Sequence, residues 1–102
     1  MKPYRVVITP FAADNIREAY GWLKTGDPLH AARWLQGIKG AILDLSTMPE
    51  SHPHAPESDV LDGDIRQRLF GRGTPWRIFL TIEETTVYVL HVRHGRRDDW
   101  RK

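Results

Sequence analysis

Residues 76–100 read WRIFLTIEETTVYVLHVRHGRRDDW, two apolar runs of strand character separated by Glu83-Glu84-Thr85. With the two-residue period of a strand, Trp76, Ile78, Leu80 and Ile82 share one face, and Arg77, Phe79 and Thr81 share the other. The first set reads as a core face. In the second run Tyr88, Leu90 and Val92 are the expected partners of that core, which leaves Val87, Val89, His91 and Arg93 on the open side. Arg66 and Arg68 come from the run IRQRLF at residues 65–70. Together they predict one sheet face carrying Arg66, Arg68, Arg77, Arg93 and His91, a surface suited to anions.

Working back from this hairpin, Tyr4, Val6 and Ile8 alternate with Arg5, Val7 and Thr9, the pattern of a short strand. Thr9-Pro10 then supplies a helix N-cap followed by proline at the first helical position. Ala12, Ile16, Ala19, Tyr20 and Leu23 recur at three- and four-residue spacing, predicting a helix that Thr25-Gly26 stops. Asp27-Pro28 repeats the cap, and Leu29, Ala32, Leu35, Ile38, Ile42 and Leu45 mark the stripe of a second helix. Trp22 and Trp34 border these stripes and read as packing residues. Gly37 and Gly40 fall inside the second helix, where each costs roughly 1 kcal/mol relative to alanine; a close approach of neighbouring backbone or side chains would explain them. MPESHPHAPESD, residues 48–59, holds three prolines among polar residues and predicts a surface loop. The expected order is β-α-α-β-β-β, an α+β fold in which a helical hairpin packs on one face of a small antiparallel sheet. Its core is expected to include Tyr4, Val6, Ile16, Leu23, Leu35, Ile42, Leu69, Ile78, Leu80 and Leu90.

A chain of 102 residues makes one domain, residues 1–102, with enough surface to bury a core unaided. It contains no cysteine, which excludes disulfides and thiolate chemistry and suits a reducing compartment. No apolar run approaches the roughly 20 residues of a membrane span, so a cytoplasmic location without membrane contact is expected. The net charge of +2 is unevenly spread: residues 1–59 hold 6 Lys/Arg against 7 Asp/Glu, and residues 60–102 hold 9 against 6. That asymmetry favours an acidic or polyanionic partner for the C-terminal half.

The basic face has two readings. Guanidinium groups could hold a phosphate, with His91 or His94 exchanging a proton near neutral pH, or the same charges could pair with nearby carboxylates on a solvated surface. His52 and His54 resemble half of a metal site, but no further ligands have suitable spacing, so no metal or other cofactor is expected. Trp100, in the polar tail, is a candidate for stacking on a base or a partner. Gly71-Arg72-Gly73 lacks the flanking residues of a phosphate loop and reads as a turn.

Taken together, YRVVITPFAADNIREAYGWL, AARWLQGIKGAILDLSTMP, IRQRLFG and WRIFLTIEETTVYVLHVRHGRRD, in that order, resemble the RelE/ParE superfamily of type II toxin-antitoxin toxins, the plasmid-stabilisation proteins. The resemblance implies a toxin neutralised by a cognate antitoxin. RelE-like members cleave messenger RNA on the ribosome without a metal; ParE-like members inhibit DNA gyrase. In the RelE-like case it implies catalytic roles for Arg77, Arg93 and His94. In either case Arg66, Arg68, His91, Arg96, Arg97 and Trp100 are candidates for binding the target or its phosphates. The C-terminal tyrosine of several RelE-like enzymes is absent, Trp100 lying nearest its place, and the sheet region lacks lysine. The HGRRD ending is similar to ParE-like members, which favours gyrase; a non-toxic RNA- or protein-binding module of the same fold is the reading of another class.

Overall fold

Thr9 and Asp27 fix where the helices begin. The Thr9 hydroxyl accepts the Ala12 N–H at 3.3 Å, and Asp27 Oδ1 accepts those of Leu29 and His30 at 3.1 and 3.2 Å, so both caps satisfy donors that the first helical turn leaves open. The computed structural model describes residues 3–59, 63–71 and 76–95. Within them the chain forms β1 (Arg5–Ile8), α1 (Pro10–Gly26), α2 (Pro28–Leu43), β2 (Arg66–Phe70), β3 (Trp76–Glu83) and β4 (Thr86–His94). The architecture is therefore the expected α+β order.

The sheet runs β1-β4-β3-β2. The β2–β3 and β3–β4 pairings are antiparallel, whereas β1 lies parallel to β4, from Arg5 opposite Thr86 to Ile8 opposite Val89. This makes the sheet mixed. Strand alternation is the same in either direction, so it could not reveal the sense of a pairing between segments about 80 positions apart in the chain. Beyond Ile8 the edge of β4 passes to α1, whose Asn15 side chain accepts the Val92 N–H at 3.0 Å.

On the helix face, Ile38, Ile42 and Leu45 meet fully buried Ile78, Leu80, Val87 and Val89. Burial of Val87 and Val89 corrects the expected assignment of β4. Phe79 stands opposite His91 but Leu80 stands opposite Val89, so Leu90 is an extra residue in the ladder. Such a bulge reverses the in-out alternation partway along the strand. Before it Val87 and Val89 point to the helices and Tyr88 points away; after it Val92 returns to the core, as expected. Leu90 packs instead with Phe79, Ala55 and Ile65 in a second cluster on the other face. Leu69, opposite Arg77, is 54% exposed and not a core residue.

The stripe of α2 is also rotated. Leu29 and Ala32 are exposed and Leu35 is half-buried, while Ala31, Trp34, Ile38, Ala41 and Ile42 are buried. Trp22, expected to pack, faces solvent. Residues 48–59 are more ordered than a plain loop, with short 3-10 turns at Pro49–Ser51 and Pro56–Asp59 and a bridge between His54 and Arg66. Ala55 N–H donates to Ile65 at 2.8 Å and Gln67 N–H to Pro53 at 2.9 Å, so this segment covers part of the free edge of β2.

The two glycines of α2 differ. A Cβ at Gly37 would lie 2.5 Å from the ring tip of Phe70, whereas one at Gly40 would meet nothing within 4 Å. Gly40→Ala is therefore expected to stabilise the protein by up to about 1 kcal/mol. Gly37→Ala should gain the same helix propensity but lose about 1–3 kcal/mol to overpacking, giving a lower denaturation midpoint. Equal midpoints for both variants would contradict the Phe70–Gly37 contact.

Candidate functional site

The expected basic face divides between the two sides of the sheet. Residues directly opposite each other in an antiparallel pair share a face, and Arg66 stands opposite Leu80 and Arg68 opposite Ile78. Both arginines therefore belong to the helix face. Arg66 Nη1 donates to the carbonyls of Glu50 and His52 at 3.0 and 2.8 Å, and Arg68 Nη1 donates to that of Ala41 at 2.9 Å and to Asp44 at 3.3 Å. The Tyr4 hydroxyl donates to Glu50, which raises the phenol's pKa and lowers the carboxyl's. These contacts fasten residues 41–52 to the sheet; they do not join Arg66 and Arg68 to the remaining arginines.

On the face away from the helices, Arg77 stands opposite Arg93 and Phe79 opposite His91. Arg77 donates from Nε and Nη2 to Gln67 Oε1 at 2.9 and 2.7 Å, and its guanidinium lies 4.5 Å over the Phe79 ring. His91 meets Phe79 edge-on at 6.5 Å and Phe11 at 5.7 Å between ring centres. Burial, with Arg93 adding to it, lowers the pKa of His91. The face therefore combines two arginines with an imidazole on which burial and Arg93 disfavour a proton.

His94 lies elsewhere. It is opposite Trp76, meets that ring edge-on at 5.1 Å, and so shares the helix face with Trp76 and Trp34, whose rings are 4.9 Å apart. The sheet separates it from Arg77 and Arg93. Arg96, Arg97 and Trp100 lie outside the described residues. Sequence reasoning missed Gln67 and Phe11. Alternation with Arg66 and Arg68 could have assigned Gln67 to the opposite face, and Phe11 falls outside the apolar stripe of α1, which marks it as exposed.

His52 shares the lowered pKa of His91, again chiefly by burial, with Arg68 and Arg66 contributing and Asp44 opposing. The folded state then resists a proton that the unfolded chain accepts near 6.5. The corresponding stability is fully present above that pH and lost as pH falls through the depressed folded values. Melting temperature is expected to drop between pH 7.5 and 5.5, and to drop less in a His52→Gln/His91→Gln variant; parallel curves would refute this.

Among the described residues no group of three or more potential ligands is arranged to hold a metal ion, and no helix is long and apolar enough to cross a membrane.

Residues 6–99 match the family model for the ParE toxin of the type II toxin-antitoxin system parDE. The chain belongs to this family. No curated protein matches it. Among solved structures it is similar to the chromosomal ParDE toxin-antitoxin system from P. aeruginosa, with a TM-score of 0.75 at 16% identity, covering 89% of this chain and 95% of that one; at that identity the likeness concerns the fold. As a ParE-family toxin the protein is a type II toxin, and its family implies a cognate antitoxin.

Proposed function

We propose that this ParE-family toxin arrests growth by inhibiting DNA gyrase in the cytoplasm and that a cognate antitoxin protein holds it inactive. The observation that carries the reading is the family match across residues 6–99. Supporting it, the sequence HGRRD at residues 94–98 carries two consecutive arginines, side chains of a kind suited to contacting a large protein target. In this reading the protein is an inhibitor rather than an enzyme and uses no cofactor.

The alternative is a ribosome-dependent messenger RNA endoribonuclease, favoured by the pairing of Arg77 with Arg93 beside His91. Against it, His94 lies across the sheet from both arginines. A general acid must come within hydrogen-bond reach of the group it protonates, and His94 cannot do so for a phosphate held between them. Two assays of the purified toxin separate the readings: inhibition of gyrase supercoiling, which is expected, and cleavage of ribosome-bound messenger RNA, which is not. Cleavage without inhibition would overturn the gyrase reading.

A further inference from the structure

The outward face of α2 takes no part in the core or in the gyrase reading. With the period of a helix, Leu29, Ala32, Gln36, Gly40 and Leu43 fall on one stripe, opposite Ala31, Trp34, Ile38, Ala41 and Ile42, which the helix buries. All five outward residues are exposed, the two leucines by 62% and 67%, and a Cβ at Gly40 would meet nothing within 4 Å. The stripe carries no charge. Arg33 and Lys39, both exposed, border it on opposite sides. An uncharged helix face that ends in two exposed leucines favours a contact.

The order of residues identifies the partner. Read outward from Gln36, the helix has Arg33 and Lys39 at three residues, Ala32 and Gly40 at four, Ala31 and Ala41 at five, and Leu29 and Leu43 at seven. The pattern is nearly the same in both directions. A twofold axis at Gln36 sets two α2 helices antiparallel, each Leu29 against the partner's Leu43 and each Ala32 against the partner's Gly40, the self-complementarity that an isologous dimer requires. The two Gln36 amides can then hydrogen-bond each other. Both arginines fall on one rim and both lysines on the other, like charges that salt screens. We propose that a second copy of this chain docks on α2, forming an antiparallel dimer about Gln36. A stripe of 16 residues, about 24 Å long, is small beside the roughly 20–30 residues a side of a standard interface, so the dimer is weak and depends on concentration. The sheet face away from the helices stays open in both copies.

The test is sedimentation equilibrium of the whole protein from roughly 10 μM to 1 mM, joined to oxidative cross-linking of cysteine variants in a chain that has no cysteine of its own. The mass is expected to rise toward that of two chains, and to do so more readily at high salt. With helix axes about 8–10 Å apart and Cα atoms about 2.3 Å from each axis, the two Cα atoms at position 36 lie roughly 3.5–5.5 Å apart, overlapping the span of a disulfide. Gln36→Cys should therefore cross-link faster than Glu18→Cys, at an exposed position of α1. Leu29→Lys/Leu43→Lys should weaken the dimer roughly 10-fold or more. Leu29→Lys/Leu43→Glu sets opposite charges in contact across the twofold and should dimerise more tightly than the lysine pair. If the lysine pair fails to fold, the cysteine variants decide. A mass that stays at one chain throughout, a dimer indifferent to the lysine pair, or equal cross-linking rates would overturn the proposal. So would a free toxin that stays monomeric while the co-purified antitoxin shields Gln36→Cys from maleimide, which would assign the face to the antitoxin. None of these readouts depends on the gyrase assay.

Discussion

Alanine at Leu80 is expected to lower stability by about 2–5 kcal/mol, whereas alanine at Leu69 should cost no more than about 0.5 kcal/mol. The two substitutions remove the same atoms from neighbouring strands. Leu80 is fully buried beneath the helical hairpin, and Leu69 is 54% exposed beside Arg77. Only the first leaves a cavity, which the fixed helix and sheet backbones cannot close. In a domain whose whole stability is typically about 5–15 kcal/mol, Leu80→Ala takes a large share, and a shift of the urea midpoint measures it. Similar midpoints for the two variants would contradict the β2–β3 register and the burial that follows from it.

The same pair of residues marks how far the sequence could be read. Leu80 was legible because Trp76, Ile78, Leu80 and Ile82 alternate without interruption and all face the helices. Leu69 was not, because its neighbour Phe70 is the residue that packs, into the space left by Gly37, and two adjacent apolar side chains leave the phase of a short strand undetermined. In β4 the obstacle was Leu90. A bulge exchanges the faces of all residues on one side of it, and nothing in the run TVYVLHVRH marks where the extra residue falls. Helix boundaries were legible for a local reason: Thr9-Pro10 and Asp27-Pro28 carry their capping chemistry in adjacent residues.

The candidate site divides along the same line. That Arg77 and Arg93 share a face with His91 follows from strand periodicity. That Arg66 and Arg68 belong to the helix face depends on the pairing of β2, and their use in fastening residues 41–52 depends on carbonyls far away in sequence. Phe11 meets His91 only because α1 takes over the edge of β4 where β1 ends. Tertiary closeness of this kind leaves no periodic trace.

Reversing the charge of Arg96 and Arg97 together is expected to weaken gyrase inhibition roughly 30-fold or more, as removal of interfacial charge pairs typically does, while His94→Ala should leave it within about twofold. The two variants differ in what each side chain can reach. His94 is engaged edge-on with Trp76 on the helix face, where a packing role suffices and no phosphate held by Arg77 and Arg93 lies within reach. Arg96 and Arg97 follow β4 in a basic run of the sequence, beyond the apolar alternation that marks the core. The concentration of toxin giving half-inhibition of supercoiling measures both variants, with a melting curve to confirm that each is folded. A general acid, by contrast, contributes roughly 10²–10⁴-fold to the reaction it serves, so a nuclease depending on His94 would lose nearly all activity in His94→Ala. Ribosome-dependent cleavage of messenger RNA that disappears with His94→Ala, alongside gyrase activity indifferent to the toxin, would reverse the assignment and require His94 to leave Trp76 and reach the other face of the sheet.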